Sequence, residues 1–234
     1  MRISVCAVVL AGLLLAASAL PAQQVQILMT GQFHGNEITA SSGETWFGLF
    51  AEGKKYRLVR TTINVTPIRD DIVGDEEDEK TGKLVSCNKS GKPLFLVRGI
   101  RGLSEIMVDT AWQGEKFFYP GESGSYYFDG THTGIMAFGE AVKTENYGGF
   151  FYRNYSLFLI KGREERSFIH FERLSPDARP HLIWVGDLDN DKKMDMFWDL
   201  TDHYNKRQFT LFLSSLAGEG EWLKKAAELI TLGC

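Results

Sequence analysis

The amino-acid sequence predicts a mainly β protein built from short antiparallel strands and hairpins. Two observations carry that prediction. Aromatic residues make up 12% of the chain beside 24 glycines, a composition that suits short pleated strands joined by tight turns. Long apolar patterns of helical period are scarce, so helices have little amphipathic face to bury. At 234 residues the chain is long enough to bury a real core.

The first 22 residues read as a secretory signal peptide. Arg2 supplies the charged start, residues 5–19 form an apolar run rich in Leu and Ala, and Ser18-Ala19-Leu20-Pro21-Ala22 supplies small residues and a turn. The run is shorter than the roughly 20 residues a membrane span requires. Cleavage after Ala22 is expected, no later segment is long and apolar enough to span a bilayer, and the expected location is secreted or periplasmic. The formal net charge is −4 and there is no Lys/Arg stripe to neutralise phosphates, which argues against nucleic acid. Cys6 goes with the leader. Cys87 and Cys234 remain, and an exported chain with two thiols predicts one disulfide. A bridge closing a loop that long contributes ~4–5 kcal/mol in the chain-entropy picture.

Residues 23–145 form an N-terminal β-rich region. Strands are expected at residues 25–29, at 46–50 around Gly48, and at 56–67, where β-branched residues are frequent. Residues 84–87 and 94–97 read as a hairpin across Asn88-Lys89-Ser90-Gly91-Lys92. Residues 106–110 and 116–119 are further strands. Residues 70–82 hold Asp70, Asp71, Asp75, Glu76, Glu77, Asp78 and Glu79 with almost nothing apolar, so they read as a solvated, mobile loop. The acids there lack a fixed ligand spacing, which favours a plain surface loop over a metal site.

Residues 146–234 form a C-terminal β region. It opens with a hairpin of residues 150–160 and 167–173 across Lys161-Gly162-Arg163-Glu164-Glu165-Arg166. Its aromatics Phe151, Tyr155, Phe158, Phe168 and Phe171 suit core and cross-strand pairs. Strands follow at residues 181–185, 194–200 and 208–214. Residues 219–232 carry a helix-prone Lys-Lys-Ala-Ala-Glu stretch, but their place after the Gly218-Glu219-Gly220 turn reads as a last strand.

The chemistry is concentrated in Asp187-Leu188-Asp189-Asn190-Asp191-Lys192-Lys193-Met194-Asp195, where carboxylates fall at positions 1, 3, 5 and 9. Calcium takes about six to eight hard oxygen ligands at roughly 2.3–2.6 Å. Alternate residues of a tight loop can point the same way, so Asp187, Asp189 and Asp191 would converge, the Lys193 carbonyl would add a ligand, and Asp195 would close the site. Without a cation, four carboxylates so close would repel. Asn190 tolerates left-handed backbone geometry. Lys192 stands where Gly is usual, and the twelfth position is Trp198 rather than Glu, so the loop is not an EF-hand. Lys192 and Lys193 lower the expected affinity to the order of 10⁻⁴–10⁻³ M, that of extracellular modules.

The segment from Val185 to Phe197 resembles an FG-GAP/VCBS-type repeat, the integrin-like calcium loop between two strands. Residues 204–214 and the Gly218–Gly220 turn suit the rest of such a unit. The resemblance implies a four-stranded blade-like unit over about residues 181–229, with Asp187, Asp189, Asp191 and Asp195 as ligands. One unit alone is present, and one blade does not close a propeller.

Catalytic motifs are sparse. Pro120-Gly121-Glu122-Ser123-Gly124-Ser125 has Ser where a nucleophile elbow needs its second Gly, so it reads as a turn. His34, His132, His170, His181 and His203 form no closely spaced pair that would mark zinc. His34 and His132 sit among glycines, in expected loops. Asp202 and His203 could support the calcium loop or simply make the next turn. The leading expectation is an exported calcium-binding module, structural or binding, with a protein or glycan partner. The alternative is an exported hydrolase in which His34 or His132 acts with a carboxylate.

Overall fold

The computed structural model describes residues 24–232 except 54, 73, 75, 77, 78, 129, 145–148, 176 and 178. The leader expected over residues 1–22 lies outside them. The described residues form sixteen strands and no helix, as the composition foretold.

β1 (Gln26–Leu28), β2 (Gly31–Phe33), β3 (Thr45–Glu52), β4 (Lys55–Ile68), β5 (Gly82–Cys87), β6 (Leu96–Arg98) and β7 (Ile106–Val108) make a seven-stranded sheet in the order β1-β6-β3-β4-β5-β2, with β7 paired to β4. The first half of β4 pairs with β3 and its second half with β5. The hairpin expected between residues 84–87 and 94–97 does not form. β5 lies between β4 and β2, while β6 crosses over to sit between β1 and β3. Leu96 and Val97 are fully buried, so core packing overrides the local turn signal.

The second sheet holds β9 (Ser123–Phe128), β10 (Thr131–Lys143), β11 (Phe150–Lys161) and β12 (Glu164–Leu174) in the order β12-β11-β10-β9. The β11–β12 hairpin is the one expected, with Tyr155 opposite Phe171. β9 and β10 are corrections. Ser123 to Ser125 and His132 lie on paired strands rather than in turns. Their Gly-, Ser- and Thr-rich composition hid a single inward face, on which Tyr126, Ile135 and Ala137 are buried. The regional boundary drawn after residue 145 falls between β10 and β11, which are neighbours in this sheet.

The third sheet runs β16-β15-β14-β13-β8, from β8 (Thr110–Lys116), β13 (His181–Gly186), β14 (Asp195–Asp199), β15 (Lys206–Leu213) and β16 (Lys224–Leu232). The last four strands are the antiparallel meander the sequence predicts, and β16 is a strand as expected. β8 extends it to five.

This sheet is the middle layer. Trp184, Phe197, Leu211 and Leu229 pack with the seven-stranded sheet. Leu182, Val185, Met196, Trp198 and Phe212 pack with the four-stranded one. Register enforces that split: Trp184 faces Phe197, Val185 faces Met196, and Met196 faces Phe212 across strands. A bulge between Leu182 and Trp184 lets Ile183 and Trp184 turn to the same core. Burial on both faces explains why β14 is an unbroken apolar run between two aspartates.

Cys87 is half-buried and a free thiol, with its Sγ 3.9 Å from the Lys89 carbonyl oxygen. Cys234, the partner expected for it, lies outside the described residues.

Candidate metal centre

The loop between β13 and β14 is locked at both ends by packing. At Gly186 a Cβ would come within 2.3 Å of the Trp184 ring and 2.5 Å of the Asp109 carbonyl, so only glycine fits. The next amide, of Asp187, donates to that same carbonyl at 2.9 Å. Leu188 inserts into the core under the seven-stranded sheet and Met194 into the core under the four-stranded one. Between those anchors the chain turns through left-handed geometry at Asn190 (φ 62°) and Lys192 (φ 68°). Asn190 was expected there. At Lys192 the backbone takes the conformation glycine would supply, with a side chain that disfavours it.

The carboxylates organise the loop. Asp187 Oδ1 and Oδ2 accept the amides of Asp191 and Lys192 at 3.0 and 3.1 Å. Asp191 Oδ1 accepts the Lys193 amide at 2.8 Å. Asp195, with no exposure, accepts the Leu188 amide at 2.8 Å and the Ser214 amide at 2.9 Å. One oxygen from each of Asp187, Asp189 and Asp195 falls in a set lying within 4.8 Å of one another. Asp191 is not in that set. Its carboxylate is turned to Ser214 Oγ at 3.0 Å. The Lys193 amide donates to Asp191 within the loop, and its ammonium lies 4.0 Å from the Asp191 carboxylate.

Two residues escaped the sequence reading. Ser214 Oγ lies 3.0 Å from Asp195 Oδ1 as well as from Asp191, and with one proton it serves one carboxylate at a time. Ser215 Oγ donates to Asp189 Oδ2. Both follow β15, about 20 residues along the chain from the loop, and a Ser-Ser pair at a strand end is too common to signal this role. Asp202 and His203 do not take it. They lie beyond the far end of β14, where Asp202 pairs with Lys206 at 2.8 Å and His203 meets Asn205.

The electrostatics are those of a site short of positive charge. Burial pushes the Asp195 carboxyl well above the usual carboxylate range, and the Asp189 charge adds to it; the Ser214 and Leu188 amides only partly offset this. Asp187 is raised too, by burial first, with the amides of Lys192 and Asp191 opposing. Asp189 Oδ1 is buried with no hydrogen-bond partner among the described residues. Hard carboxylate oxygens suit calcium, and oxygens bound to one calcium lie at most about 5 Å apart. Asp187, Asp189 and Asp195 are thus placed where they could hold a metal ion, with Ser214 and Ser215 bonded to the acids of the loop.

The two loop histidines do not converge. His34 follows β2 in the seven-stranded sheet, and its Nδ1 lies 2.7 Å from Asp70 Oδ2. Asp70, expected in a solvated loop, is only 5% exposed. His132 lies on β10 in a different sheet, with Nδ1 3.4 Å from Ser125 Oγ and its ring against Tyr127. No helix among the described residues is long and apolar enough to cross a membrane. Comparison with known proteins finds no family model that matches the chain, no similar curated protein and no similar solved structure.

Proposed function

We propose that this is an exported calcium-binding protein, secreted or periplasmic, whose C-terminal meander works as an FG-GAP/VCBS-like unit clasped by the ion. The observation that carries the reading is the convergence of Asp187, Asp189 and Asp195 with one buried oxygen of Asp189 unpartnered. A divalent cation would satisfy that oxygen and relieve the repulsion among the three acids. Export rests on the leader in residues 1–22, and it would place the chain where calcium is plentiful. Binding only the folded state, calcium at 100 times its Kd adds about 2.7 kcal/mol of stability. Calorimetry should therefore show binding at submillimolar to millimolar calcium, and Asp189→Ala should abolish the calcium-dependent rise in Tm. A wild-type protein indifferent to millimolar calcium sinks the proposal.

A second reading rests on the His34–Asp70 pair. A buried carboxylate on Nδ1 orients an imidazole for base catalysis, so an exported hydrolase using His34 would be built this way. Turnover of an ester, peptide or glycan substrate, lost in His34→Ala, is what that reading requires.

A further inference from the structure

The acid loop lies at one end of the middle sheet, and two adjoining cavities lie toward the other. One, of about 480 Å³, is lined by Met29, Leu94, Ile183 and Phe209, all only partly buried. That volume lies within the range of about 300–1,000 Å³ typical of small-molecule sites. The second, of about 230 Å³, is lined by His181, Thr201, His203 and Tyr204. Glu115, Ile183 and Arg207 line both, so the two are halves of one groove.

Strand register builds the groove. Residues two apart on a strand share a face, and so do residues directly opposite on neighbouring strands. His181 stands opposite Asp199, Asp199 opposite Phe209, and Arg207 opposite Thr231. His181, Ile183, Arg207 and Phe209 therefore share the face that packs toward the seven-stranded sheet. Met29 and Leu94, from connections of that sheet, wall the apolar half. The Arg207 guanidinium lies 5.2 Å from the Phe209 ring centroid, where the apolar half meets the polar one.

The polar half is open to a ligand. Tyr204 is 70% exposed, Glu115 is exposed, and the Arg207 side chain is 54% exposed. The Glu115 carboxylate and the His181 ring carry no side-chain hydrogen bond among the described residues. Four Lys or Arg residues and three acids line the groove, and Asp202 pairs with one of the four, Lys206, at 2.8 Å, so formal charge balances. A neutral head with several hydroxyls uses both signs at once. It donates to Glu115 and accepts from Arg207, while a C–H face of its ring packs on Tyr204. An anionic head would meet Glu115, and a cationic one Arg207.

We infer that this groove binds a neutral glycoside, its sugar in the polar half and an apolar aglycone against Met29, Leu94 and Phe209. The site is independent of the calcium reading, since no acid of the Asp187–Asp195 loop lines either cavity.

Titration calorimetry of the full chain with phenyl β-glucoside tests this. The glucoside should bind with a Kd of about 1 mM or tighter, and glucose, benzyl alcohol and phenyl β-glucuronide should each bind about tenfold or more weakly. Tyr204→Ala and Glu115→Ala alter exposed side chains and should leave Tm unchanged. Each should weaken the glucoside about tenfold, and Glu115→Ala should also narrow its margin over the glucuronide. No binding of the glucoside at about 10 mM overturns the proposal. So does a glucuronide or free glucose that binds as tightly as the glucoside, or wild-type affinity in both variants.

Discussion

β14 begins and ends on a buried aspartate, and the two ends are neutralised differently. Asp195 and Asp199 are 0% and 2% exposed, and each accepts two backbone amides. At the far end the chain supplies its own cation: Arg207 Nε donates to Asp199 Oδ2. At the loop end the neighbours of Asp195 are a serine, amides and other carboxylates. A buried carboxylate needs either a paired charge or a proton. The fold has placed a guanidinium at one end and no basic group at the other among the hydrogen bonds and ion pairs of Asp195. The same strand thus serves as its own control for the calcium reading.

The comparison can be broken first at Asp195. Asp195→Ala leaves the buried amides of Leu188 and Ser214 without acceptors, a loss of about 2–4 kcal/mol, read as a lower urea midpoint that calcium does not restore. A change under about 1 kcal/mol would mean that water replaces the carboxylate and the site is looser than its geometry.

Acid should also probe the loop end. Folded-state pKa values of Asp195 and Asp187 lie above their unfolded values. The calcium-free fold therefore holds these protons more tightly than the unfolded chain does. Stability from them is full below the unfolded value near 4 and is lost as pH rises through the folded pKa, by up to about 1.4 kcal/mol per pH unit for each proton. Calcium reverses the trend, because protons compete for its ligands. Tm measured from pH 4.5 to 7.5 with calcium and with chelator should give curves of opposite slope; parallel curves would remove the link between these groups and the ion.

Arg207→Ala tests the far end. Its side chain is 54% exposed, so water screens the pair, and the expected loss is about 1–2 kcal/mol. That loss should be the same with and without calcium. Smallest is Lys192→Gly. Relief of a left-handed lysine is set against the extra entropy of glycine, leaving a gain of about 1 kcal/mol or less. Loss of one positive charge should tighten calcium binding alongside it, and weaker binding in the titration would contradict that account.

The difference between the ends bears on what could be read from the chain. The acid loop at Asp187–Asp195 was legible because its carboxylates are local in sequence, although only Asp187, Asp189 and Asp195 converge and Asp191 turns to Ser214. The meander of β13 to β16 was legible for the same reason, since each strand pairs with its sequence neighbour. The crossing from β5 past β4 and β3 to β6 was not, because a strand's partner depends on which face the core buries. β9 and β10 were lost under glycine and serine, residues that read as turns until a neighbouring strand pairs with them.

By itself, the amino-acid sequence determined the all-β class, the C-terminal strand order and the identity of the acids in the loop. The class and the acids follow from local composition and spacing, and the strand order from the four-stranded unit that the FG-GAP/VCBS resemblance implies. Tertiary structure alone decided that the C-terminal sheet lies between two others, that Ser214 and Ser215 brace the loop, that Asp70 is buried against His34, and that Glu115 and Arg207 share a groove. Each of these joins residues distant in the chain, and only packing brings such residues within hydrogen-bond reach.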